Sequence, residues 1–214
     1  MITGRGMIAR ALHSANGVNL YAAGVSNPTC VDPSEFNRDR DRLAKALERP
    51  EMMVYFSSCA VAGQETPYRK HKLHLEHMVR ERGNYLICRL PTVAGTTPNP
   101  HTLLNYLYVR IARGEKVDVW MKARRNVIDI LDVAAIVRWL IRGGAQDETI
   151  NIASPSDYAV PDIVKTMEQV LHLKAVIGEV QGGDSYTIDT SRIKDAPVAR
   201  TDSYLEDVMW KYYA

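Results

Sequence analysis

Short apolar runs alternate along this chain with longer amphipathic stretches, and the two periods predict strands and helices in turn. Met1-Ile2-Thr3 reads as the end of a strand. Gly4-Arg5-Gly6 then turns the chain into a helix over 7–12, with Asn16-Gly17 at its exit. A second strand covers 18–23. Asp32-Pro33-Ser34-Glu35 opens a helix with an acidic N-cap, proline at the first helical position and glutamate at the capping-box position. That helix turns Phe36, Leu43 and Leu47 inward and its many charges outward, and it ends before Pro50. Met52-Met53-Val54-Tyr55-Phe56 is a buried strand leading into Ser57-Ser58-Cys59.

A helix over 68–81 follows, then a strand at 85–88, a helix marked by Leu103, Leu104, Leu107 and Ile111, and short strands at 117–120 and 126–130. Helices at 133–141, 160–173 and 204–212 alternate with strands at 149–152 and 175–180. This alternation indicates βαβ units on a mostly parallel sheet. The more polar stretch after Ile152 predicts a smaller lobe, so that a core over 1–153 carries a lobe over 154–214.

Composition narrows the class without naming it. The 214 residues are 46% hydrophobic and 24% charged, which supplies a sizeable core. No run approaches the ~20 apolar residues of a membrane span. The net charge of +2 does not suggest a nucleic-acid binder. Cys30, Cys59 and Cys88 form no CxxC pair and are odd in number, which fits a reducing compartment. The N-terminus lacks the apolar segment of a signal peptide, so a cytoplasmic protein is expected.

Three features in order carry candidate chemistry. Gly4-Arg5-Gly6-Met7-Ile8-Ala9 is a GxGxxA turn between strand and helix, where glycines admit a pyrophosphate and the helix end offers free N–H groups. Ser57-Ser58 stands at the carboxyl end of a buried strand, where open α/β sheets place ligands. Tyr68 and Lys72, four apart, share one helix face. An ammonium beside a phenol favours the phenolate, which makes a general acid/base. Any one of these has an ordinary structural explanation; their order together is specific. His71, His74 and His77 lie three apart on the same helix, but the third has rotated away and nothing completes a tetrahedron, so no metal is expected.

With these residues in place, the chain resembles the extended short-chain dehydrogenases/reductases, the nucleotide-sugar epimerase, dehydratase and ketoreductase group. The segments ITGRGMIARAL, LYAAGVS, VYFSSCAVAG, PYRKHKLHLE, ICRLPTVAG, RNVIDILDVAAIV and INIAS carry the resemblance to about Ala153, and IDTSRIK resembles the C-terminal lobe. The resemblance implies a Rossmann-like α/β fold, mostly parallel with helices on both faces, and a small C-terminal substrate lobe. It makes Ser58 the substrate-orienting serine and Tyr68 the acid/base, with Lys72 lowering the tyrosine pKa and holding the nicotinamide ribose. Gly4, Arg5, Gly6, Met7 and Ile8 would follow the pyrophosphate. Ala22, Ala23, Gly24 and Ser57 would line the cofactor, and Pro91 would lie near the carboxamide. Arg125 is the candidate for substrate phosphates and Tyr186 for the sugar.

The chain departs from the pattern in one large respect. LYAAGVS resembles the fourth Rossmann strand, yet it begins about sixteen positions after Gly4. The second and third strands are therefore expected to be missing, together with the acid that binds the adenosine ribose. The first strand should then be a sheet edge. Cys59 and Ala60 stand where the 4,6-dehydratases carry an Asp-Glu pair, which points to an epimerase or reductase. Arg5 in the turn tilts the cofactor towards NADP over NAD. The leading expectation is an NAD(P)-dependent enzyme of surface polysaccharide synthesis acting on a nucleotide-linked sugar. The alternatives are a binding or regulatory partner with weak or no cofactor affinity, and a homodimer whose open strand edge lets a neighbour hold the adenosine.

Overall fold

The computed structural model describes residues 1–12, 17–198 and 201–214. Its centre is a five-stranded parallel sheet whose strands run nearly apolar because both faces are covered. In chain order the first elements are β1 (Ile2–Thr3), α1 (Met7–Ala11), β2 (Val18–Tyr21), α2 (Pro33–Leu47), β3 (Met52–Ser58), α3 (Pro67–Arg82), β4 (Tyr85–Leu90), β5 (Thr92–Ala94) and α4 (Leu103–Ala112). There follow β6 (Lys116–Trp120), β7 (Arg124–Asp129), α5 (Ile130–Arg142), β8 (Glu148–Asn151), β9 (Asp157–Ala159), α6 (Val160–Leu171), β10 (Val176–Val180) and α7 (Tyr204–Tyr213).

The main sheet has the order β1-β2-β3-β4-β8. As the sequence predicts, β1 is its edge and pairs directly with β2, Thr3 opposite Tyr21. Only six residues join α1 to β2, too few for further strands; Asn16, expected at the helix exit, falls outside the described residues. Alternation along the strands sorts side chains between two layers. Leu20, Val54, Phe56, Leu86 and Cys88 pack towards α5, while Tyr21, Met53, Tyr55 and Ile87 pack against Leu43 of α2 and Leu75 and Val79 of α3.

A second core gathers α4, β6, α6 and α7 around Leu104, Val119, Ile163 and Met209. It thus draws on the segment around 103–123 as well as on residues after 153. β6 pairs with β10, and β7 bridges β5 and β9. The three-residue strands β5 and β9 are too short to show a period in the sequence. Among the described residues no helix is long and apolar enough to cross a membrane.

Capping follows the sequence with one change. Asp32 caps α2 by accepting from the Ser34 amide at 2.8 Å, and Pro33 occupies the first turn. Glu35 does not complete the capping box; it pairs with Arg38 at 2.9 Å. α2 turns most of its charges outward as expected, but Asp39 is buried. Its place is three residues after Phe36 and four before Leu43, on the inward stripe, and buried donors there receive it.

Candidate active site

The carboxyl ends of β1 to β4 bring the predicted residues to one edge of the sheet. Gly4 has φ +133°, and a Cβ there would stand 2.3 Å from the Ala22 carbonyl oxygen. Only glycine allows that approach, so the turn after β1 lies directly on Ala22-Ala23. The Ala22 amide completes the ladder by donating to the Thr3 carbonyl at 2.8 Å. Arg5 and Gly6 are exposed on this turn, whereas Met7 packs inward at Gly95 and Ile8 against the first core. One strand further, Ser58 stands opposite Leu90, which places Pro91 at the neighbouring strand end.

Ser57 and Ser58 point to different tasks. The Ser57 hydroxyl donates to Glu76 at 2.7 Å. Glu76 is fully buried and also takes a two-pronged pair from Arg89 at 2.9 and 2.7 Å and one from Arg80 at 2.7 Å. Burial alone would raise its carboxyl, but the Arg89 and Ser57 hydrogen bonds, then the Arg89 charge and the Arg80 hydrogen bond, hold it below the usual range. The Ser58 oxygen accepts the Ala60 amide at 3.2 Å, capping the short 3₁₀ turn Cys59–Ala62. Its own proton is left to donate elsewhere.

Thr66 starts α3 by accepting the Arg69 amide, with Pro67 in the first turn. This start sets Tyr68 and Lys72 on the sheet-facing side, 6% and 4% exposed. The Lys72 ammonium lies 5.7 Å from the Tyr68 ring centre and 5.8 Å from that of Tyr55, within cation–π range of both. Among the described residues the buried Tyr55 hydroxyl has no hydrogen-bond partner, and burial, with Asp39 next in effect, raises its pKa well above normal.

The run Arg69-Lys70-His71-Lys72, which reads as a solvated face with one working lysine, divides differently. His71 is buried as well, while Lys70 is exposed and pairs with Glu65 at 2.9 Å. His71 joins Asp39 at 2.9 Å, and His77 pairs with Glu81 on the surface.

The substrate candidates come from the other core. Arg125 pairs with Asp184 through Nη2 and Oδ1 at 2.8 Å and donates from Nη1 to the Asp184 carbonyl at 3.0 Å. The same loop lays Asp184 and Tyr186 against Gly63, whose added Cβ would meet them at 3.3 and 3.4 Å. Tyr186 is pushed up to about 12 by burial, next by the neighbouring Cys59. Cys59 donates weakly to the Arg89 carbonyl at 3.4 Å, and burial pushes its thiol up to about 12 as well. Asp184 and Tyr186 therefore reach the turn that follows Ser58, and Arg125 is tied to the same loop through Asp184, which already engages its guanidinium.

Sequence reasoning missed Asp39. The signal was available in its spacing from Phe36 and Leu43, which puts an acid on an apolar stripe.

The arrangement fits the nicotinamide and pyrophosphate portion of a dinucleotide: a glycine turn packed on a neighbouring strand end, and a buried ammonium beside a buried phenol. It offers no acid on a further strand for the adenosine ribose, because β1 is the sheet edge among the described residues. No curated protein sequence matches the chain. Among solved structures, a dTDP-glucose 4,6-dehydratase from Bacillus anthracis in complex with NAD superimposes with TM-score 0.71 at 16% identity, covering 91% of this chain and 72% of that one. RMD from Pseudomonas aeruginosa complexed with NADPH gives 0.73 at 17%, covering 91% and 78%. A UDP-glucuronic acid 4-epimerase from Bacillus cereus in complex with NAD gives 0.73 at 17%, covering 92% and 71%. These likenesses establish a shared fold. The family model described as the NAD dependent epimerase/dehydratase family matches residues 41–153, more than half of the sequence, and the chain belongs to that family.

Proposed function

We propose that the chain is an NAD(P)-dependent oxidoreductase acting on a nucleotide-linked sugar, as an epimerase or 4-ketoreductase in surface polysaccharide synthesis. The observation that carries this reading is the buried pair Tyr68 and Lys72 on one turn of α3, beside the strand end that presents Ser58. A bound nicotinamide supplies the site that accepts or returns hydride. Everything else falls to the chain. Gly4, Arg5, Gly6, Met7 and Ile8 hold the pyrophosphate, and Ala22, Ala23 and Gly24 form the adjoining wall. Lys72 holds the ribose hydroxyls and stabilises negative charge on Tyr68. The Tyr68 oxygen takes the proton from the sugar hydroxyl during oxidation and returns it during reduction. Ser58, whose oxygen already accepts an amide, donates its proton to the same sugar oxygen and fixes its position.

Dehydration is disfavoured by the thiol standing where an acid is required: with its pKa at about 12, Cys59 stays protonated at neutral pH and is a poor acid. Arg5, exposed on the glycine turn, supports NADPH over NADH. A second reading, a binding partner that no longer holds the cofactor, draws support from β1 being the sheet edge on the adenosine side.

Titration with NADH and NADPH by nicotinamide fluorescence separates the two. Binding of either nucleotide is expected, with NADPH tighter; binding of neither would leave the partner reading. In an enzyme assay, Tyr68→Phe is expected to lower turnover by about 10²- to 10⁴-fold while nucleotide affinity stays near wild type. Unchanged turnover would remove Tyr68 from the mechanism.

A further inference from the structure

Behind Tyr68 and Lys72 lies a buried polar cluster that the mechanism above does not use. Asp39, 3% exposed, projects from α2 to the end of β2. Its Oδ1 accepts the Tyr21 hydroxyl at 2.8 Å. Its Oδ2 accepts the Val25 amide at 3.1 Å and the His71 Nε2 proton at 2.9 Å. Gly24 has φ +120°, and a Cβ there would come within 2.7 Å of both carboxylate oxygens. The carboxylate therefore lies against the backbone of the turn that follows Ala22-Ala23.

On the other side, His71 is clamped between Asp39 and the Phe36 ring, which stacks on it at 4.5 Å. Lys72 is the next residue on α3. It is buried, and among the described residues its ammonium forms no hydrogen bond; its neighbours are the rings of Tyr55 and Tyr68. A buried cation of this kind is costly without a nearby opposite charge. Burial would raise the Asp39 carboxyl, yet the His71 bond and then the Lys72 charge hold it below the usual range, so Asp39 supplies that charge.

We propose that Asp39 is a positioning residue that sets the Gly24 turn and the Tyr68–Lys72 face of α3 as one unit for the nicotinamide nucleotide. The carboxylate does so through three atoms it touches: the Val25 amide, the Tyr21 hydroxyl and His71 Nε2. Asparagine in its place keeps an acceptor for one or two of these donors and loses the charge opposite Lys72. The proposal rests on the cofactor reading given above.

The test uses the full chain and two readouts: affinity for NADH and NADPH by fluorescence, and amide exchange of the protein without nucleotide. Asp39→Asn is expected to weaken the tighter nucleotide at least tenfold. It should also speed exchange at the Val25 amide at least tenfold, while amides of β4 and β8 keep wild-type rates. A purely global loss of stability would raise all of these together and would overturn the proposal.

Tyr21→Phe, which removes one donor and no charge, covers the case in which Asp39→Asn does not fold, and should weaken the nucleotide three- to fivefold. Wild-type affinity in every folded variant of this pair would also overturn it. If the wild-type protein binds neither nucleotide, the cofactor reading falls first and this one falls with it. That outcome is distinct from a binding wild type with unaffected variants.

Discussion

The two sides of the sheet's carboxyl edge are built by different means. Where β2, β3 and β4 meet α2 and α3, buried carboxylates are matched atom for atom: Glu76 receives Arg89, Arg80 and the Ser57 hydroxyl, and Asp39 receives His71, Tyr21 and the Val25 amide. On the β1 side the sheet ends with two residues paired to β2, a glycine turn and a five-residue helix. That side is held by ladder hydrogen bonds and by the close fit of Gly4 on Ala22. The difference shows where the structure can give. Removing one carboxylate from the charged side leaves several donors short of an acceptor at once, whereas a change at β1 disturbs only the edge.

The sharpest way to break this contrast is Glu76→Ala. It strands two arginines and a serine hydroxyl, and it should cost about 3–5 kcal/mol of unfolding free energy, read from denaturant midpoints. At the edge, Gly4→Ala forces a side chain into an unfavourable φ and against a carbonyl. The expected cost is smaller, about 1–3 kcal/mol. Its signature should be local: faster amide exchange in β1 and β2 and weaker nucleotide binding, with β4 and β8 unchanged. Equal costs for the two substitutions, or a global loss from Gly4→Ala, would erase the distinction.

Most of the scaffold was legible because its signals are local. Each long helix and each strand of the main sheet is predicted from spacing, and the missing strands are legible from the short distance between Gly4 and Leu20. Tyr68 and Lys72 were legible because both stand on one helix face. What the sequence hid is pairing across space. The spacing of Asp39 puts it on the apolar stripe of α2, but nothing local names its partner, His71, thirty-two positions away. Ser57 and Ser58 look interchangeable, and only strand alternation sends one to Glu76 and leaves the other on the short turn. Arg125 looks free for a phosphate, since nothing local marks Asp184, fifty-nine positions on, as its partner.

The matched carboxylates also give the charged side a pH signature that the edge lacks. Asp39 and Glu76 are both held below their usual range in the folded chain. Such groups contribute stability in full above the unfolded value near ~4, and the contribution is lost as pH falls through the folded value. Unfolding free energy should therefore be flat from neutral pH to about 5 and drop below about 4. In Glu76→Gln the drop should be shallower, because one of the two proton-linked groups has gone. An unaltered slope in that variant would assign the acid loss to other carboxylates.

The smallest expected stability effect lies where the two cores meet. The Arg125–Asp184 pair is about a third exposed on both sides, so solvent screens it and its loss should cost no more than about 1 kcal/mol. Its functional effect has the opposite sign. Asp184 holds the guanidinium with one carboxylate oxygen and one carbonyl, as a phosphate would with two of its oxygens. If Arg125 serves the substrate diphosphate, Asp184 competes for it. Asp184→Asn should then bind uridine diphosphate several-fold more tightly by calorimetry while melting slightly earlier. A destabilised variant has no general reason to gain affinity, so a gain would identify the competition directly. Unchanged or weaker binding, with wild-type affinity measurable, would make the pair a brace between cores and remove Arg125 from the substrate site.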